Sequence, residues 1–196
     1  MTPKKIINVT AENISNINDE GAILDLQLKL LISHGDSRGY FREIVRATDR
    51  LFDDGVFGQW SHSKMQKNVV KAWHYHHVQY DWWYVPIGAV EAVFFDNREE
   101  SPTFGTKLAC IMGDSFAEAR ALPICVRIPP WVLHACKVLS NEAHLFYITS
   151  QTYDKNEEGR FPYNSDVVGH DWGSNIIVAA NDTLEFKPTS IRKTVN

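Results

Sequence analysis

Short segments rich in β-branched and aromatic residues recur along the chain, and polar turn signals separate them. The clearest apolar runs cover residues 89–95, 125–128 and 143–150, and each has the length of a strand rather than a helix. Gly, Asp and Pro clusters such as Pro86-Ile87-Gly88 break the pattern. This rhythm predicts an all-β sandwich or barrel.

Helical signals are weak. Residues 47–52 predict a turn or two, while residues 1–18 and 183–196 are polar enough to be arms or edge strands. No repeat, low-complexity tract or linker interrupts the 196 residues. We therefore predict a single domain over 1–196, with an N-terminal arm at 1–22 and a C-terminal tail at 183–196.

The composition is that of a globular domain, with 44% apolar and 12% aromatic residues to fill one core. A net charge of -4 and a pI near 6.0 argue against a nucleic-acid surface. No apolar run suits a membrane span or a leader peptide, so we expect a cytoplasmic chain. Cys110, Cys125 and Cys136 lack paired spacing and are predicted to be buried thiols.

The densest chemistry lies between Lys71 and Asp81, a segment that contains three histidines. On a strand, alternation puts His74 and His76 on one face. Their spacing from Asp81 and then Gly88 resembles the first cupin motif, an HxH pair followed by an acid and a turn glycine.

Residues 129–134, PPWVLH, resemble the second cupin motif, with Trp131 where glycine is common. The motif's histidine is His134, which should face the same cavity as His74 and His76. Together the two motifs predict a double-stranded β-helix, the cupin jelly roll, with few short helices.

Further motifs follow one another in the order found in the dTDP-4-dehydrorhamnose 3,5-epimerases, which are RmlC-like cupins. Residues 101–105, SPTFG, are identical to part of a family motif. The other similar segments are DSRGYFRE (36–43), QWSHS (59–63), KAWH (71–74), YITSQTY (147–153) and GHDW (169–172). The chain thus resembles this family over most of its length.

The resemblance implies a 4-keto-6-deoxy nucleotide-diphosphate sugar as substrate, a homodimer and no cofactor. It makes His74 the catalytic base and Tyr147 the acid. The family's aspartate partner of the base falls at Ser165, and Asp166 is one residue away. The residues implied in substrate binding are Arg38, Phe41 and Glu43, often across a dimer interface in the family, together with Gln59, Lys71, His134 and Tyr153.

The implied chemistry is inversion at C3, C5 or both, as a step in deoxysugar or polysaccharide biosynthesis. The 4-keto group acidifies these carbons, so a base on one face and an acid on the other suffice. The enolate oxygen needs a cation or donor nearby. The family's lysine for that role aligns with Asp81, and Lys71 is the only nearby cation on the same stretch.

Two other interpretations remain open. In a metal-dependent cupin, His74, His76, Asp81 and His134 would hold one divalent metal ion. In a non-catalytic sugar-binding cupin, the aromatic residues near the histidines would stack on sugar rings without chemistry.

Overall fold

The computed structural model describes residues 3–52 and 56–188, and their regular structure is almost entirely β. One short helix, α1, spans Ile14–Glu20, and 3₁₀ helices span Arg50–Phe52 and Ala180–Thr183. The strands in chain order are β1 (Lys5–Asn8), β2 (Gln27–Leu30), β3 (Ser33–Asp36), β4 (Gly39–Arg42), β5 (Gln59–Gln66), β6 (Val70–His76), β7 (Asp81–Ile87), β8 (Ala89–Asp96), β9 (Thr106–Gly113), β10 (Ile124–Ile128), β11 (Val132–Val138), β12 (Glu142–Thr149) and β13 (Glu158–Arg160). The predicted all-β class is confirmed.

Two facing sheets form the body of the fold. One has the strand order β1-β9-β8-β11-β6-β13, and the other has the order β2-β10-β7-β12-β5. From β6 to β8, and again from β9 to β12, the chain alternates between the two sheets, whereas β8 and β9 are paired neighbours in the larger sheet. This is the double-stranded β-helix that the two cupin motifs predicted. Strands β3 and β4 form a separate hairpin.

The main apolar core lies between the two sheets and includes Trp83 of β7 and Phe94 of β8. A second cluster covers the outer face of the larger sheet, where Phe95 packs with Trp73 and Trp172. Strand β8 is therefore buried on both faces, which explains its mostly apolar sequence, with the half-buried Glu91 as the exception before Asp96. Each large apolar side chain removed from water in this way contributes roughly 1.5–3 kcal/mol.

Of the two forms predicted for residues 1–18, an arm or an edge strand, the structure has the edge strand. Strand β1 pairs in parallel with β9, and Val9, Ile14 and Ile17 are buried in the main core. Helix α1 was not predicted because only two apolar residues mark its inward face. It ends at Gly21, whose φ of 64° is the left-handed conformation typical of a helix C-terminus. No helix among the described residues has the length and apolarity to span a membrane.

The three predicted strands correspond to β8, β10 and β12 within one residue at each end. The predicted turn at 47–52 corresponds to the 3₁₀ helix Arg50–Phe52. In the predicted tail, Phe186 forms a bridge with Arg160, and residues 189–196 lie outside the described residues. The three cysteines are buried free thiols, as predicted.

The turns at Gly88 and Trp131 are among those with the left-handed backbone that favours glycine. Gly88 joins β7 to β8 with a φ of 78°, and a Cβ there would lie 2.1 Å from the carbonyl oxygen of Glu142. Trp131 has a φ of 64° at the position where the cupin motif commonly has glycine. Its ring stacks on His77 at a centroid distance of 4.1 Å, a contact that helps to offset the backbone strain.

Asp96 organises the turn that contains the SPTFG motif. Its carboxylate is fully buried and accepts hydrogen bonds from Arg98 Nε at 2.7 Å, Ser101 Oγ at 2.7 Å and Thr103 Oγ1 at 2.5 Å. Arg98 Nη2 also donates to the carbonyl oxygen of Leu24 at 2.7 Å, which ties the turn to the segment before β2. The SPTFG motif therefore has a structural role in shaping this turn. Its identity to the family motif reflects that role and not a catalytic one.

We predict that Asp96→Asn lowers the free energy of unfolding at pH 7 by about 1–3 kcal/mol, because a partly buried guanidinium and two hydroxyls lose an anionic acceptor. Burial raises the pKa of Asp96, but its donors lower it by more, so the folded-state pKa lies below the unfolded one. The contribution is therefore complete above an unfolded pKa of about 3.9 and is lost as the pH falls through the folded pKa.

Urea unfolding of both proteins from pH 7 to pH 3 measures this contribution. A difference in unfolding free energy that shrinks below about pH 4 agrees with the account. A difference that stays constant down to pH 3 would show that the charge of Asp96 does not stabilise the turn.

Candidate active site

Side chains from both sheets meet at one end of the fold and line a cavity of about 240 Å³. Strands β6, β11 and β13 form one wall, and β5, β7 and β12 form the other. His134 stands opposite His74 across β11 and β6, and Thr149 stands opposite Asp81 across β12 and β7. Because directly paired residues share a face, each sheet projects a row of polar groups into the same space.

His74 lies on β6 between two carboxylates. Its Nδ1 is 3.5 Å from Glu158 Oε2, and its Nε2 is 3.9 Å from Asp182 Oδ1. Burial lowers the pKa of His74, but the carboxylates of Asp182 and Glu158 raise it by more, so the net pKa is above the ordinary value. The imidazole is therefore a stronger base than it would be in water.

Arg160 holds Glu158 in place through Nε at 2.7 Å and Nη2 at 2.6 Å, both to Oε1. Burial raises the pKa of Glu158, but His74 and Arg160 lower it by more, to about 2. Glu158 is thus an anion at neutral pH, with one oxygen for the guanidinium and the other for the imidazole.

Gly159 allows this contact. It pairs with Tyr75 between β13 and β6, and a Cβ at Gly159 would lie 2.1 Å from Cζ of the tyrosine ring. Only a glycine therefore lets β13 approach β6 closely enough for Glu158 to reach His74.

A second polar group consists of His76, Asp81 and His134, all buried. The Nε2 atoms of both histidines are 3.9 Å from Asp81 Oδ2. His134 Nδ1 lies 3.0 Å from the carbonyl oxygen of Val132, and His76 Nδ1 lies 3.4 Å from Glu157 Oε2. Burial and the neighbouring imidazoles hold the pKa of His134 well below its usual range, so that ring is neutral.

Four further predicted residues line the cavity: Gln59, Lys71, Tyr147 and Tyr153. Tyr147 projects from β12 and therefore from the wall opposite His74. Gln59 Oε1 accepts a hydrogen bond from the backbone N–H of Tyr153 at 3.2 Å, and Lys71 Nζ donates to Ser63 Oγ at 2.7 Å. An imidazole and a phenol, two groups that can accept or donate a proton, thus lie on opposing sheets around one cavity.

The sequence matches the model of a family described as dTDP-4-dehydrorhamnose 3,5-epimerase over residues 21–187. The chain belongs to the dTDP-4-dehydrorhamnose 3,5-epimerase family. This confirms both the resemblance and the predicted class of enzyme, a nucleotide-sugar epimerase.

Two related sequences and one solved structure are described as sugar epimerases or polysaccharide biosynthesis proteins. The chain is 35% identical over 152 residues to the spore coat polysaccharide biosynthesis protein SpsL of Bacillus subtilis, covering 76% of this chain and 95% of that protein. It is 30% identical over 146 residues to the dTDP-4-dehydrorhamnose 3,5-epimerase of Salmonella typhimurium, covering 70% and 75%. A solved structure of dTDP-6-deoxy-D-glucose-3,5-epimerase from Legionella pneumophila, in complex with dTDP-4-keto-L-rhamnose, superposes with a TM-score of 0.71 at 27% identity and covers 82% of this chain and 86% of that one.

Three residues expected to hold the nucleotide lie outside this epimerase's cavity, on or just after the β3–β4 hairpin. Arg38 is 87% exposed and pairs with Asp36, and Phe41 is 63% exposed. Glu43 pairs with Arg46 instead of facing the cavity. Within one chain, therefore, the hairpin does not contribute to the cavity.

The structure also corrects the expected partner of His74. Asp166 is exposed and does not line the cavity, and the carboxylates beside His74 belong to Glu158 and Asp182. Alternation in the sequence Glu158-Gly159-Arg160 is a signal that could have identified Glu158, since both charged residues share one face of a strand. Asp182 has no local signal, because only the return of the C-terminal segment brings it to β6.

The structure separates His74 from the other three residues of the predicted metal site. Single ligand atoms from His76, Asp81 and His134 all lie within 4.8 Å of one another. His74 is not in this group, and both of its ring nitrogens face other carboxylates.

Proposed function

We propose that this chain epimerises a 4-keto-6-deoxy nucleotide-diphosphate sugar at C3, C5 or both. The observation that carries the proposal is the placement of His74, with its carboxylate partners, and Tyr147 on opposite walls of one cavity. Removal of a proton from one face of the sugar and its return to the other inverts the carbon between them.

His74 acts as the base in this scheme. Glu158 faces Nδ1 and fixes the ring orientation, which leaves Nε2 for the proton next to the carbonyl group. An elevated pKa strengthens the imidazole as a proton acceptor, and the anionic carboxylate stabilises the imidazolium that forms. Glu158 therefore positions His74 and does not itself contact the reacting carbon.

Tyr147 acts as the acid and returns the proton from the facing sheet. Lys71, Gln59 and Tyr153 lie around the same cavity and suit the polar groups of the sugar and the diphosphate. The reaction leaves the oxidation state of the sugar unchanged, so its chemistry requires an acid, a base and an electrophile near O4, and no redox cofactor.

The substrate class and its biological setting rest on similarity. The Legionella pneumophila structure is described as a complex with dTDP-4-keto-L-rhamnose, and the Bacillus subtilis relative is described as a polysaccharide biosynthesis protein. We infer that this chain acts on a nucleotide sugar in the supply of deoxysugars for a polysaccharide.

The exposed β3–β4 hairpin bears on how two chains assemble into a dimer. Arg38 and Phe41 provide a guanidinium for a diphosphate and a ring for stacking, but both are exposed in the single chain. In a two-fold dimer the β3–β4 hairpin of one subunit can enter the cavity of its partner. We propose that each active site is completed in this way.

We predict that His74→Ala lowers the rate of solvent exchange at C3 or C5 by about 10²–10⁴-fold, because the base is removed. Tyr147→Phe should slow inversion more than it slows exchange, because the proton can still leave but is not returned from the other face. Both rates can be followed by NMR in D₂O with a dTDP-4-keto-6-deoxy sugar. Exchange at the wild-type rate in His74→Ala would refute the assignment of the base.

A second prediction compares Glu158 with Asp166, the acid that the sequence predicted as the partner of His74. Glu158→Gln should lower kcat by about 10–100-fold with little change in KM, the loss expected for one hydrogen bond to a charged group. The comparison variant is Asp166→Asn, which removes an exposed carboxylate outside the cavity. A larger loss of kcat in Asp166→Asn than in Glu158→Gln would restore the assignment of Asp166.

A third prediction tests the shared site by mixing subunits. Arg38→Ala should lower kcat/KM by about 10–100-fold because a charged contact to the diphosphate is lost. When Arg38→Ala and His74→Ala subunits are unfolded together and reassembled, half of the dimers should be mixed, and each of these has one intact site. Activity should then recover to about a quarter of the wild-type level. No recovery would mean that Arg38 serves the cavity of its own subunit.

A further inference from the structure

The cavity has a carboxylate where the family's lysine is expected. Asp81 is buried at the start of β7, and a negative charge there opposes the enolate that would form at O4 of the sugar. Lys71 is the cation predicted on the same stretch, but its ammonium group is bound to Ser63 on the opposite sheet. The proposed reaction therefore needs another source of positive charge near Asp81.

The contacts of Asp81 leave a gap between three potential ligands. Its Oδ1 accepts a hydrogen bond from Gln79 Nε2 at 2.7 Å, and Oδ2 lies 3.3 Å from Trp83 Nε1. His76 Nε2 and His134 Nε2 are both 3.9 Å from Oδ2, which is too long for a hydrogen bond. Two imidazole nitrogens thus converge on a buried carboxylate oxygen without bonding to it.

The distances suit a bound ion. Nitrogen and oxygen ligands lie about 2.0–2.2 Å from a metal such as zinc, so ligand atoms around one ion are about 3–4 Å apart. The three ligand atoms here lie within 4.8 Å of one another, and small rotations of the side chains would bring them into range.

The outer contact of His134 matches that of a metal ligand, and Nδ1 of His76 faces a carboxylate without forming a hydrogen bond to it. Metal-binding imidazoles usually donate their second N–H to a carboxylate or a backbone carbonyl. His134 Nδ1 lies 3.0 Å from the carbonyl oxygen of Val132, and His76 Nδ1 lies 3.4 Å from Glu157 Oε2. Both rings are therefore oriented with Nε2 towards Asp81.

We propose that His76, Asp81 and His134 bind one divalent cation of the Fe(II), Mn(II), Ni(II) or Zn(II) class. Two imidazoles and one carboxylate leave coordination positions open towards the cavity. His74 stays outside this set because its ring nitrogens are not among the ligand atoms that lie within 4.8 Å of one another, and its Nδ1 faces Glu158. The role of the ion, which rests on the proposed function, is to supply beside O4 the positive charge that a lysine supplies in the family.

The first test is elemental analysis of the purified full chain after dialysis without chelator, by inductively coupled plasma mass spectrometry. Wild type should hold about one ion per chain, and Asp81→Asn should bind the same metal about 100-fold more weakly or not at all. The matched control is His62→Gln, because exposed His62 lies 2.9 Å from His144 and this pair is the competing surface site. Loss of the ion in His62→Gln but not in Asp81→Asn would overturn the proposal.

Titration of metal-free wild type with Co(II) tests the site without a variant, in case Asp81→Asn does not fold. Visible absorption bands of imidazole-ligated Co(II) that saturate at about one equivalent support the site, and their absence overturns it.

Solvent exchange on a dTDP-4-keto-6-deoxy sugar is then measured separately with metal-loaded and chelator-treated enzyme. Bound metal with no exchange in either form would contradict the proposed function and leave the site intact. Equal exchange in both forms would contradict the role of the ion and leave the proposed function intact. We expect exchange that falls at least about tenfold on chelation and returns when the metal is restored.

Discussion

The register between β6 and β11 places His74 opposite His134, and every other feature of the site depends on this pairing. Strand residues alternate between two faces, so a slip of one residue would turn Trp73 and Tyr75 into the cavity and His74 and His76 out of it. The register is stabilised by the apolar cores on both sides of the larger sheet, where Trp73 is completely buried. The packing of large aromatic residues thus fixes the direction in which His74 and His76 point.

The cavity contains two separate electrostatic arrangements. In one, His74 is paired with Glu158 and Asp182, and Arg160 compensates for their charge. In the other, His76 and His134 converge on Asp81. A buried carboxylate is stable only when partners offset its desolvation, and Asp81 has Gln79 and Trp83 as donors but no hydrogen bond to either imidazole. The two arrangements account for the proposed base and for the proposed cation.

The sequence predicted the fold and much of the site because those features leave local signals. Alternation predicted that His74 and His76 share a face, and the resemblance to the cupin and family motifs pointed to His134 and Tyr147, which both line the cavity. The partner of His74 was missed because the family's aspartate aligned with Ser165 and the adjacent Asp166 was taken in its place, whereas Glu158 lies on a three-residue strand with little apolar pattern. Asp182 and the contacts of β1 and α1 depend on long-range packing, which a single sequence does not encode locally.

Incorporation of solvent deuterium tests the central claim most directly. Wild-type enzyme would be incubated in D₂O with dTDP-4-keto-6-deoxyglucose, and the recovered sugar would be examined by mass spectrometry and NMR. Proton abstraction and return predict one deuterium at each carbon whose configuration is inverted. Inverted product without deuterium at that carbon, or no change at C3 and C5 at all, would contradict the account.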